Sequence, residues 1–137
     1  MIGDSVSLGT KGLVWANLSS RGFEPTHSPG NAASTNLGAH CIAAWTAAAQ
    51  PAGRAWGVIS YQFGLHDLAF DVERISVAQY ASQLTAITAS LVALQRRDGT
   101  KLLWVTTTPV PTAHTYSVAG HCHTTSKCLN APRFIAD

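Results

Sequence analysis

Two apolar runs set the strongest limit on how this chain folds. "AWGVISYQFG" and "TKLLWVTTTPVP" are both nearly continuous in apolar or β-branched residues, and each is bounded by glycine or proline. A strand with one wet face alternates apolar and polar residues, whereas an unbroken run suits a strand buried on both faces of a parallel sheet. Parallel neighbours need a long crossover between them. The segment between these runs supplies one: "SVAQYASQLTAITASLVALQRR" places Val77, Tyr80, Leu84, Ile87, Leu91 and Leu94 three and four residues apart, behind Ser76 as a cap.

The rest of the chain follows the same alternation. Met1-Ile2 is the stub of a first strand, and a helix runs from about Leu8 to Ser20, stopped by Gly22. A short second strand is expected at Phe23 to His27. A second helix is expected at about Asn36 to Ala49, ended by Gln50-Pro51-Ala52-Gly53. The order β-α-β-α-β-α-β predicts an α/β fold with a parallel sheet covered by helices on both faces. Beyond Thr112 periodicity fades, and about 113–137 is loop-rich. The 137 residues make one domain, 1–137, without repeats or a low-complexity linker.

Composition narrows the function classes. Hydrophobic residues make up 46% and charged residues 12%, which is a globular balance rather than a disordered one. The nine Lys and Arg are scattered, so no nucleic-acid partner is expected. No apolar run is expected to approach the roughly 18 residues of a membrane span. The first residues lack the basic and apolar regions of a signal peptide. Cys122 and Cys128 are close enough in sequence for a loop disulfide that leaves Cys41 free, and that bridge would suit a secretory compartment. The spacing of "HCHTTSKC" fits no familiar zinc pattern, so no metal is expected, and no cofactor either. Trp15, Trp45, Trp56 and Trp104 are expected in the core rather than as sugar platforms.

In a parallel sheet, ligands bind beyond the carboxyl ends of the strands. Four polar clusters fall there: Asp4-Ser5, the Gly30-Asn31 loop, Gly64-Leu65-His66-Asp67, and Thr106 to Pro109. Ser5 lies just before a helix, whose free N–H groups and positive end favour a developing oxyanion. It is also open to a plainer use as the helix N-cap. His66 has an imidazole N–H to offer a carbonyl oxygen, or else is satisfied by the backbone of its loop. Asp67 reads as an organiser of its own loop or as a helix cap.

These blocks resemble the SGNH hydrolases, the GDSL-type esterases and lipases. "GDSVSLG" matches the block that carries the nucleophilic serine, here Ser5. "GNAASTNLG" sits where a second block supplies an oxyanion N–H, here from Ala33, with Gly30 as the fallback if the alignment slips. "FGLHDL" sits where an asparagine side chain completes the hole, and His66 occupies that position. "WVTTTPVP" looks like the strand and loop that follow. The resemblance implies a three-layer α/β/α sandwich with a flavodoxin-like sheet. It also implies a serine hydrolase cleaving small acyl esters or acetylated carbohydrates.

Two departures matter. Alanine stands at position 33 where glycine is usual, which carries a penalty if the backbone there needs positive φ. The Asp-x-x-His block that supplies the base is missing: His114, His121 and His123 have no aspartate three residues before them. The chain is therefore expected to be a fragment, incomplete at both ends, and inactive as it stands. The alternative is a non-catalytic relative that binds an ester or glycan. A flavodoxin-like nucleotide binder is disfavoured, because "GDSVSLG" is poor in glycine and lacks the lysine of a phosphate loop. Exposed sheet edges are expected to make the fragment prone to aggregation. Acyl specificity and oligomeric state are left open.

Overall fold

The computed structural model describes residues 1–48, 50, 54–68 and 75–109. They form three α-helices and a parallel two-stranded sheet: α1 (Ser5–Ser19), α2 (Thr35–Ala48), β1 (Val58–Tyr61), α3 (Val77–Asp98) and β2 (Lys101–Trp104). A 3₁₀ turn, His66–Leu68, follows β1. The architecture is mixed helix and strand, with the crossover β1–α3–β2 that the apolar runs predict.

β1 and β2 pair in register from Val58↔Lys101 to Tyr61↔Trp104. On the other edge of β1, Ile2 forms a parallel bridge with Tyr61, donating to the Ser60 carbonyl and accepting from Gln62 N–H. The expected strand stub is thus present at Ile2. Residues 26–32 run along its far side: Met1 N donates to Thr26 O, Ser28 N to Met1 O, and Ala32 N to Gly3 O. The two bonds at Met1 flank His27, which is the spacing of a parallel ladder. The expected second strand at Phe23 to His27 does not form; Phe23 and Glu24 are exposed, and the pairing starts only at Thr26. The order across the described edge is 26–32, the Ile2 stub, β1, β2.

α3 is the helix whose sequence defines it best. Ser76 and Gln79 form a capping box, with each side chain accepting from the other's backbone N–H at 3.1 and 2.9 Å. Such a cap contributes about 1 kcal/mol. Gly99, at φ 73°, ends the helix, and Arg96 and Arg97 sit in the last turn, where the dipole favours cations. Ile87 and Leu91 are fully buried. The helix also reaches the length and composition of a membrane-crossing segment, with 22 residues that include an 18-residue window of mean hydropathy 1.2. This corrects the expectation that no run comes close: alanine, leucine and isoleucine raise the average while Ser, Thr and Gln stand in for charges. Length and composition alone do not show a span.

The core gathers Ile2, Ala32, Cys41, Ile42, Trp45, Ile59, Tyr61, Phe63, Ile87 and Leu91. α2 presses close because Gly38 has no side chain; a Cβ there would lie 2.6 Å from the Phe63 ring and 2.8 Å from Ile87. α1 buries only Ser7, and a Cβ on Gly3 would strike Ser7 and approach Gln62. Successive side chains on an extended segment point to opposite faces, so Gln62 faces α1 while Phe63 faces α2. Trp45 is core as expected, and Trp56 donates from Nε1 to Thr46 O. Trp104 is exposed at the sheet edge, packed edge-on against Tyr61 at 5.1 Å. Trp15 is half-buried beneath Lys11.

Cys41 is disulfide-bonded, not free. Its partner lies outside the described residues, as do Cys122 and Cys128. The expected bridge between those two, the "HCHTTSKC" stretch and the loop-rich 113–137 lie outside them as well.

Candidate functional site

The parallel pairing of Ile2 with Tyr61 makes the chain leave the sheet side by side after each. Asp4-Ser5 and the segment from Gln62 to Asp67 therefore emerge at the same edge. The loop at 31–35 joins them, since Ala32 N donates to Gly3 O and Thr35 bonds Asp67. Thr107 comes in from β2: a Cβ on Gly64 would lie 2.8 Å from its Cγ2. Gly64 also holds φ 139°, so glycine is required there twice over. All four polar clusters meet at one edge.

Ser5 is the first residue of α1 and is exposed. It is not the N-cap. Asp4 caps the helix, with Oδ1 accepting from Val6 N–H at 2.9 Å. The Ser5 hydroxyl is left over from capping and makes no hydrogen bond among the described residues. Asp4 itself is fully buried, and its Oδ2 has no partner among the described residues.

Ala33 has φ 48°, the one non-glycine residue in the left-handed region among those described. Gly30 is not in that region, so the strained turn falls on Ala33. Alanine there carries about 1–2 kcal/mol of strain. The turn is closed by Asn31, whose Oδ1 accepts the Ala33 N–H at 2.8 Å. This is an Asx turn. The N–H assigned to an oxyanion is thus already engaged by a side chain two residues earlier.

His66 opens the 3₁₀ turn and is half-buried. Its neighbour Asp67 is almost fully buried. The Asp67 carboxyl accepts from Thr35 N–H at 2.9 and 3.2 Å and meets Thr35 Oγ1 at 2.6 Å. Asp67 thereby sits at the N-terminal end of α2, 32 residues away in sequence. Thr35 Oγ1 also lies 2.8 Å from Gln83 Oε1 on α3, and Gln83 Nε2 donates to Asn36 Oδ1 at 3.3 Å. One hydroxyl proton cannot serve two acceptors. One of them must donate: Asp67 with its proton on, or Gln83 with its amide nitrogen turned inward. Burial pushes the Asp67 carboxyl above the usual carboxylate range, while the Thr35 bonds and the His66 charge pull it back. Tyr80, which donates to Phe63 O, is raised by burial and by the Asp67 charge.

His27 is the histidine that sequence reasoning passed over. Its Nδ1 lies 2.9 Å from the Ser28 carbonyl, which only accepts, so that nitrogen carries the proton. Its Nε2 lies 2.8 Å from Ser7 Oγ, whose one proton also faces Asp4 O at 2.7 Å: the two acceptors share it while the ring is neutral, and Asp4 O holds it when a charged ring donates from Nε2. This ties the first turn of α1 to the segment ahead of the Ala33 loop. Serine at the third helical residue, with a histidine beyond the helix, is too common a pattern to have marked it. Among the described residues no cluster of three or more His, Cys, Asp or Glu is placed to hold a metal.

No protein-family model, curated protein or solved structure matches the chain.

Proposed function

We propose that the protein is a serine hydrolase of the SGNH type, with Ser5 as nucleophile. The observation that carries this reading is the state of Ser5: exposed at the first residue of α1, relieved of capping by Asp4, at the edge where the Ala33 and His66 turns meet. Helix α1 beside one face of the sheet and α2 and α3 on the other suit a three-layer sandwich. The order 26–32, stub, β1, β2 is the 2-1-3-4 order of flavodoxin-like sheets, whose ligands sit at the switch point between the first and third strands. Ser5 and His66 flank that point.

In this reading Ser5 Oγ attacks the carbonyl carbon of an ester. The Ser5 proton passes to a base and from it to the departing alcohol. The N–H groups of Ser5 and Ala33 and the His66 ring hold the oxyanion. Water then attacks the acyl-serine, releasing the acid. Among the described residues no histidine is placed as the base: His27 is committed to Ser7 and His40 bonds Asn36 O, while His114, His121 and His123 lie outside them. Small acyl esters and acetylated carbohydrates are the proposed substrates.

A fluorophosphonate probe tests this. It labels Ser5 in the full chain, and Ser5→Ala abolishes the adduct. A folded protein that stays unlabelled counts against hydrolysis. The bond from Ala33 N–H to Asn31 favours a second reading, a binding relative without turnover. That reading predicts binding of an acetylated sugar by calorimetry with no labelling of Ser5.

A further inference from the structure

We propose that Asp67 is a positioning residue, whose buried carboxyl fastens the Ala33 turn to the His66 turn so that the two oxyanion donors keep a fixed relation. The inference rests on the hydrolase reading above and deepens it. Asp67 directly follows His66 in the 3₁₀ turn. Its carboxyl reaches across to Thr35, two residues after Ala33, and bonds both the backbone N–H and the hydroxyl there. Thr35 is fully buried, and Gln83 of α3 closes the network from behind. The clamp is therefore dry and joined to the core, while both donor residues it spaces are half-exposed.

A loop clamp of this kind matters to catalysis because donors must sit within hydrogen-bond reach of the oxyanion, and displacement by about 1 Å costs on the order of a hundredfold in rate. Local strain strengthens the case. Ala33 is held in a left-handed conformation that alanine avoids, and such a turn persists only where its surroundings hold it. The bonds from Asp67 to Thr35 anchor the first residue of α2, two residues beyond Ala33.

The test compares Asp67→Ala, Thr35→Val and Thr35→Ser with the native full chain. Two signals are read well below each variant's melting temperature: the rate of Ser5 labelling by a fluorophosphonate, and the ring resonances of His66 by NMR. Thr35→Val removes a hydroxyl, changes no charge and lies on another element from His66. It is expected to slow labelling about tenfold and to shift the His66 ring signals, with Thr35→Ser restoring both. Asp67→Ala is expected to slow labelling about a hundredfold; if it does not fold, Thr35→Val decides. Native labelling rates and unmoved His66 signals in Thr35→Val overturn the proposal, since a structural role alone lowers the melting temperature and leaves both signals in place. If the native chain is not labelled at all, the hydrolase reading fails, and the His66 signals still judge the clamp.

Discussion

The two sides of the site are held by different physics. The Ser5 side rests on α1, which buries only Ser7 and leaves Leu13 and Val14 exposed. What fixes it is polar: the Asp4 cap, the close approach of Ser7 over Gly3, and the bond from Ser7 to His27. The His66 side backs onto α2 and α3, where Gly38, Phe63, Ile87 and Leu91 interlock and Asp67 is tied to Thr35. The proposed nucleophile thus stands on a lightly packed helix, and the proposed anion donors stand on the core. Strength of packing and closeness to the chemistry are separable here.

Removing core volume gives the largest effect and the sharpest break. Leu91→Ala is expected to cost about 2–5 kcal/mol in a urea melt, because Leu91 is fully buried between packed elements. Leu13→Ala, at 83% exposure, is expected to stay within about 0.5 kcal/mol. Equal losses at the two positions would abolish the distinction between the helices. Next in size, Ser7→Ala is expected to cost about 1 kcal/mol, with labelling of Ser5 slowed more than the loss of stability accounts for, since the bond it removes fixes the first turn of α1.

On the other side, Ala33→Gly is expected to stabilise the fold by roughly 0.5 kcal/mol. It relieves left-handed strain of about 1–2 kcal/mol against an added unfolded-state entropy of about 0.4–1 kcal/mol. Loss of stability on this change would mean that the methyl group packs usefully. The smallest effect is in pH. Burial lowers the His27 pKa below its reference of 6.5, opposed by the Ser28 bond and aided by the Met1 ammonium and Lys11. The unfolded chain therefore takes up its proton first. Stability from this residue is complete above about 6.5 and is lost as the pH falls toward the depressed folded value. Asp67 has the opposite sign: its raised pKa makes the folded state hold the proton longer, so its contribution declines as pH rises through the folded value. Denaturant melts of His27→Gln and of the native chain across the acid range separate the two slopes.

Local signals located most of the elements. The three-and-four spacing with Ser76 in front marked α3, and the bounded apolar runs marked β1 and β2. The second strand failed because Pro25 and the exposed Phe23 and Glu24 leave only Thr26 and Ser28 to pair with Met1. At the site, Ser5, Ala33 and His66 were reached through motif resemblance, and the left-handed backbone at Ala33 is the structural cost foreseen for alanine at that position. Three things were hidden. The bond from Asp67 to Thr35 spans 32 residues and follows no periodicity. The role of Asp4 as cap, which spares Ser5, depends on a helix start three residues earlier than its apolar pattern suggested. The state of Cys41 could not be read from spacing, because cysteine connectivity is set by the fold.

The Asx turn at Asn31 carries a consequence for anything negative that arrives at this edge. The donor it seeks is not waiting bare; it has a tenant. Occupancy is then an exchange, in which a side-chain amide oxygen leaves as a guest oxygen enters, and the free energy is only the difference between the two acceptors. Neutral carbonyls, whose oxygen is no better than an amide's, gain little from the swap, whereas an oxygen gathering full charge gains much more. On the proposed hydrolase reading the resident side chain would thereby filter by charge, favouring a guest only as it becomes anionic.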